Sequence, residues 1–304
     1  MRVVAWVALG WLAACAPSAD DGVVVVDSLP DEAVGPPLSP GYLELGVGPV
    51  DQGEQVTLKV RGADPGDNVE FLRGAAYGSG ACPARLGGRC LQILPPIRSL
   101  GTAIADPQGE ATLTFQMSPQ FGLGRRIAME AVVSGRSPKT SEVQVREVRA
   151  RGAAGDYGLG ATFRLANQAS VSSNAILAHT VEVAEAATVV GFGCQGDAPA
   201  GQFKAALYAD NGGAPGRLIA ESAPARFGPG LNRGAASSPT RVAPGRYWLA
   251  TTFDQPIATW SNGLAWDNPE WIILQPFGQA LPRAWQGGNF YRSPRIDCFV
   301  QVEG

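Results

Sequence analysis

The chain has 304 residues, with 24 Lys and Arg against 27 Asp and Glu, a formal charge of −3 and one histidine. Gly and Pro together make about a fifth of it, above the ~12% of ordinary usage, while 45% apolar residues leave enough material for a core and exclude a disordered chain. The charge balance argues against a nucleic-acid binder, which would carry a basic face, and the length suggests two domains.

Arg2 is the only charge before Asp20, and an apolar run from Val3 to Leu12 follows it. A run of about ten residues is too short to span a bilayer and matches the hydrophobic part of a cleaved export signal. It ends in Leu12-Ala13-Ala14-Cys15. This resembles the lipobox of bacterial lipoproteins, which implies cleavage after residue 14 and lipidation of Cys15. An ordinary secretory signal with an incidental cysteine is the competing reading. The resemblance implies a membrane partner through the N-terminal lipid. Ala16 stands where an aspartate would mark inner-membrane retention, so the outer membrane of a bacterial envelope is expected.

Residues 15–40 contain five acids, no Lys or Arg, and prolines at Pro17, Pro30, Pro36, Pro37 and Pro40. Such a segment extends and does not pack, so it reads as an acidic tether. With Cys15 set aside, Cys82, Cys90, Cys194 and Cys298 remain, an even number in an oxidising compartment. Pairing Cys82 with Cys90 and Cys194 with Cys298 keeps each bridge inside one domain, whereas the alternatives cross the expected boundary. A metal would need Cys or His clusters that the sequence lacks, so no metal and no cofactor is expected.

From residue 41 the pattern has period two, as in half-buried strands. Gln55–Arg61 places Val56, Leu58 and Val60 on one face; strands are also expected at 69–72, 111–115, 126–133 and 141–148. Cys82-Pro83-Ala84, Leu86-Gly87-Gly88, Leu100-Gly101-Thr102 and Gly109-Glu110-Ala111-Thr112 together resemble small Ig-like domains of bacterial surface proteins, over residues 41–148. The resemblance implies a β-sandwich and no chemistry. Residues 149–156 read as a linker.

Strands resume at 162–165, 175–183, 188–194, 202–209 and 246–253, with Asn211-Gly212-Gly213 as a turn and Pro244-Gly245 leading into the last. The turn and the Ala243–Ala250 segment resemble the jelly-roll-type β-sandwich modules of bacterial secreted proteins, here over residues 157–304. The expected fold is therefore all-β, with two antiparallel sandwiches, Ig-like then jelly-roll-like.

Catalytic motifs are missing: there is no GxSxG, HExxH or P-loop. His179 sits within an alternating strand and reads as a strand residue before it reads as a base. Asp210-Asn211 and Asp267-Asn268 offer calcium-type oxygens, but turn formation is their ordinary use. The tryptophans are uneven. Trp6 and Trp11 fall in the signal, and Trp248, Trp260, Trp266, Trp271 and Trp285 crowd the last quarter of the chain. Trp260, Trp266, Trp271 and Trp285, with Asn262, Asp267, Asn268 and Arg283, form a candidate glycan surface, because indoles stack on sugar faces and amides or charges bond hydroxyls. Core or loop packing and a protein interface are the competing readings. The expected role is non-catalytic: binding of a glycan or another envelope protein, adhesion, or structure. The rival is an envelope glycan hydrolase using carboxylates such as Asp254, Asp267 and Glu270.

Overall fold

The computed structural model describes residues 42–151, 156–160, 167–197, 201–261, 268–293 and 296–303. The signal and tether expected over residues 1–40, half of the expected linker and the strand expected at 162–165 lie outside the described residues. Alternation organises the first domain into β1 (Tyr42–Val47), β2 (Gln55–Arg61), β3 (Asn68–Gly74), β4 (Arg98–Ile104), β5 (Ala111–Gln116), β6 (Arg126–Val133), β7 (Lys139–Ser141) and β8 (Gln144–Glu147). The strand expected at 141–148 is two short strands, both pairing with β6.

One layer runs β4-β3-β6, with β7 and β8 beyond, and the other runs β1-β2-β5. Strand β1 joins them, pairing antiparallel with β2 and parallel with β7. Val56, Leu58 and Val60 are fully buried and meet Phe71, Met129 and Val133 between the layers. Each such side chain contributes roughly 1.5–3 kcal/mol over its exposed state.

The outer face of the β3–β6 layer is also apolar, carrying Leu72, Ala128 and Val132. The segment 75–97, closed by the Cys82–Cys90 disulfide, lays Leu86, Leu91 and Ile93 over it. Beneath this lid Glu130 is 1% exposed and accepts the Gln92 amide at 2.9 Å. Burial pushes its carboxyl up to about 8 against that hydrogen bond, so it holds a proton at neutral pH.

The second domain holds β9 (Asp156–Gly160), β10 (Asn167–Val171), β11 (Ala175–Val183), β12 (Ala187–Gly196), β13 (Gly201–Asp210), β14 (Pro215–Glu221) and β15 (Ala225–Phe227). It continues with β16 (Gly230–Val242), β17 (Gly245–Phe253), β18 (Ile257–Ser261), β19 (Asn268–Leu274), β20 (Asn289–Ser293) and β21 (Cys298–Glu303). One sheet runs β10-β18-β12-β21-β9 with β16 beside β12; the other runs β14-β13-β17-β11-β19-β20 with β15 beside β13. Between them pack Val189, Phe192 and Val300 from one side and Leu207, Leu249 and Phe253 from the other. The Cys194–Cys298 disulfide joins residues directly opposite each other on β12 and β21.

Both β1 and β11 are buried along their whole length, although alternation alone would wet one face. The reason is that β1 and β11 pack against each other, joining the two sandwiches within one compact unit of residues 32–304. Arg246 Nε donates to Glu44 at 2.6 Å, and Arg61 Nε to Glu182 at 3.0 Å. Glu110 bridges Lys59 and Arg61 at 2.9 and 2.8 Å, extending the network. Gly46 makes the approach possible, since a Cβ there would lie 2.7 Å from Glu182 Cγ.

Candidate functional site

The second sheet of the C-terminal domain turns Leu177, Leu207 and Leu249 inward and Ala178, Tyr208, Trp248 and Trp271 outward. Strand parity expects these outward side chains at the surface. Instead, the β13–β14 turn and the segment 275–288 fold over them. Leu218 N–H donates to Arg283 O and Trp285 N–H to Gly216 O, both at 2.9 Å, which pins the segment along β14. Tyr208 Oη donates to Pro282 O at 3.0 Å, and Lys204 Nζ bonds the carbonyls of Phe277 and Gln279. Leu281 inserts beneath, 4% exposed.

Trp271 therefore does not present a ring to a ligand. It is 2% exposed, its Nε1 donates to Gly213 O at 3.3 Å, and Phe290 meets it edge-on with centroids 5.7 Å apart. This corrects the binding role expected for it; the reason is the overlying turn and β20. Trp248 is likewise core, 1% exposed, with Nε1 donating to Asp210 Oδ1 at 2.7 Å. That bond, with the Gly213 amide on Oδ2 at 3.4 Å, gives Asp210 a turn-holding role.

The structure does bring Arg283 and Trp285 together on the segment 275–288. Trp285 is half-buried, edge-on to Tyr208 at 5.3 Å, and its Nε1 has no hydrogen-bond partner. Arg283 is 86% exposed and 3.6 Å from Glu221, a separation and exposure at which an ion pair holds little. Asn262, Trp266 and Asp267 lie outside the described residues, as do the side chains of Trp260 and Asn268.

The carboxylates proposed for hydrolysis are not brought together where they can be compared. Asp254 is exposed after β17 and accepts the Gln202 amide at 2.9 Å, a turn role. Glu270 is 5% exposed inside the sandwich, 3.5 Å from His179 Nε2. Register places Glu270 opposite His179, which is opposite Leu249. Asp254 is thus five residues along and two strands across, roughly 15–20 Å by strand geometry. A glycosidase pair needs about 5–10 Å. Asp254 and Glu270 therefore do not form such a pair, and Asp267 lies outside the described residues.

Sequence reasoning missed the polar cavity at the domain junction. Tyr42, Glu44, Glu142, Gln144, Thr180 and Glu182 line it. Glu44 Oε1 is buried there without a hydrogen-bond partner, while Oε2 accepts from Arg246. Burial pushes the Glu182 carboxyl up to about 7 and the Glu44 charge adds to it, with Arg61 and Lys59 pulling the other way. No signal in the sequence marked these glutamates, because a charged residue alternating with apolar ones reads as a wet strand face.

No protein-family model and no curated protein matches the chain. Among solved structures, a red sea bream transglutaminase is similar at 11% identity over 71% of this chain, with a TM-score of 0.22; this chain spans only 30% of its length. A SusE-like protein is similar at 11% identity over 70% of this chain and 97% of its own, with a TM-score of 0.17. Likenesses at these scores carry no argument about function.

Proposed function

We propose that the protein is a lipid-anchored, non-catalytic component of a bacterial cell envelope, most consistent with the outer membrane. Its two sandwiches serve as one binding or structural body, with the segment 275–288 as the glycan-facing part. The anchor rests on Leu12-Ala13-Ala14-Cys15, and the single body on the junction: Gly46 against Glu182, flanked by the Arg246–Glu44 and Arg61–Glu182 pairs. Arg283 and Trp285 are the described groups on that segment suited to a sugar, an exposed guanidinium beside a half-buried indole.

Membrane fractionation tests the anchor. The wild-type chain is expected to sediment with membranes and the Cys15→Ser variant to stay in the soluble fraction. Equal partitioning of the two overturns the lipid anchor.

A further inference from the structure

Arg73 on β3 stands directly opposite Arg98 on β4. Like charges in such a cross-strand pair destabilise a sheet. Arg125, just before β6, joins them through the ring of Phe121: the Arg73 and Arg125 guanidinium carbons lie 5.3 and 5.2 Å from its centroid. Burial, then the charges of Arg98 and Arg125, lower the pKa of Arg73, so the three charges feel one another. Among the described residues none of the three forms a salt bridge, although other arginines such as Arg61, Arg149 and Arg246 do. Arg89, Arg217 and Arg241 are likewise without one, so it is the clustering of Arg73, Arg98 and Arg125 that is distinctive. The sequence repeats the bias, with no Asp or Glu between Phe71 and Ala105 or between Met117 and Arg126. Glu147 stands opposite Arg126 and its Oε1 lies 3.8 Å from where a Cβ on Gly124 would sit, so one carboxylate borders the loop against three arginines.

The same loop carries an apolar tip. Leu123 is 59% exposed between Gly122 and Gly124, and Gly124 turns the chain at φ 71°. A large apolar side chain at the tip of a loop, two residues from the Phe121 ring that Arg73 and Arg125 cover, matches the two parts of a bilayer interface: acyl boundary for the leucine, phosphate layer for the guanidiniums. We propose that this end of the first domain, Leu123 with Arg73, Arg98 and Arg125, is a docking surface for an anionic lipid headgroup layer. A soluble acidic polymer would satisfy the arginines but leave Leu123 in water, so the lipid surface accounts for more of the end. The proposal does not depend on acylation of Cys15.

The Cys15→Ser chain, which cannot be acylated, is mixed with phosphatidylglycerol-containing or pure phosphatidylcholine vesicles and sedimented. Binding to the anionic vesicles is expected, weakening as salt screens the charges. Arg98→Ala with Arg125→Ala should weaken it roughly 30-fold, about fivefold for each interfacial arginine. Leu123→Ser should weaken it as well, without changing the charge. All three positions are exposed, so the variants are expected to keep the wild-type melting temperature. Equal binding to neutral vesicles, or binding indifferent to these substitutions, overturns the proposal. So does binding to soluble heparin that matches or exceeds binding to the anionic vesicles.

Discussion

Trp271 and Trp285 carry the same indole and meet different surroundings. Trp271 fills a core under the β13–β14 turn, so Trp271→Ala should cost roughly 3–5 kcal/mol, the range for a buried large side chain. Trp285 only caps that core from the side, and its Nε1 has no partner to lose. Trp285→Ala should therefore lower stability by clearly less, and it is the substitution expected to weaken binding on a glycan array. Chemical denaturation of the two variants beside the array checks this; equal destabilisation with unchanged binding removes Trp285 from the proposed surface. Alternation marked 246–253 as strand, and Trp248 within it is buried on the face turned away from the sandwich interior. It was blind to what covers that face, because the covering residues 275–288 are rich in Pro, Gly and Gln and carry no periodic signal of their own.

Elements with a strong apolar alternation were legible: β2, β6, β11 and β17 fall where the period-two pattern put them. Strand β16 was not, because Leu231-Asn232-Arg233-Gly234 and Ala236-Ser237-Ser238-Pro239 offer small or polar side chains that stay mostly exposed. It is a strand because β12 supplies hydrogen bonds on both sides of a bulge at Val189/Gly191. The cysteines were legible because each bridge closes within a domain, and the two bridges act on different elements. Cys194–Cys298 spans a separation of 104 residues and clamps β12 to β21 in the sheet centre. Replacing both with Ala should cost about 2–5 kcal/mol and lower the denaturation midpoint of the second domain. Replacing Cys82 and Cys90, separated by 8, frees only the lid over Leu86, Leu91 and Ile93. That change should appear as faster amide exchange within 75–97, with the strands of the first domain still protected. Loss of protection across β2 and β6 would show that the lid is needed for the whole sandwich.

At the scale of the whole molecule, the junction was the least legible feature, since Glu44 and Glu182 look like solvent-facing strand residues until two domains meet over them. Their meeting makes docking depend on pH in a direction that can be worked out. Docked, Glu182 has its carboxyl near 7; undocked and wet, it returns to the ordinary value near 4.5. Between those values the docked form holds a proton that the undocked form releases. Docking is thus strongest from this group at and below pH 4.5 and weakens as pH rises through 7, by at most about 1.4 kcal/mol per pH unit. The competing outcome is that Arg61, at 3.0 Å, keeps Glu182 ionised, in which case acid would loosen the junction instead. Burial is expected to win because the Glu182 side chain is 1% exposed, the Glu44 charge is close, and Arg61 is shared with Glu110. Gly46→Val, which puts side-chain atoms where Glu182 packs, supplies an undocked reference. A distance measured between labels on the two domains should lengthen toward that reference as pH rises from about 4.5 to about 7, the span of the two carboxyl values, and level off above it. Glu182→Gln should remove most of the change, whereas Glu130→Gln, buried under the lid of the first domain, should leave it intact. A distance that lengthens in acid, or a pH response that survives Glu182→Gln, would assign the junction to its ion pairs and not to the protonated glutamate.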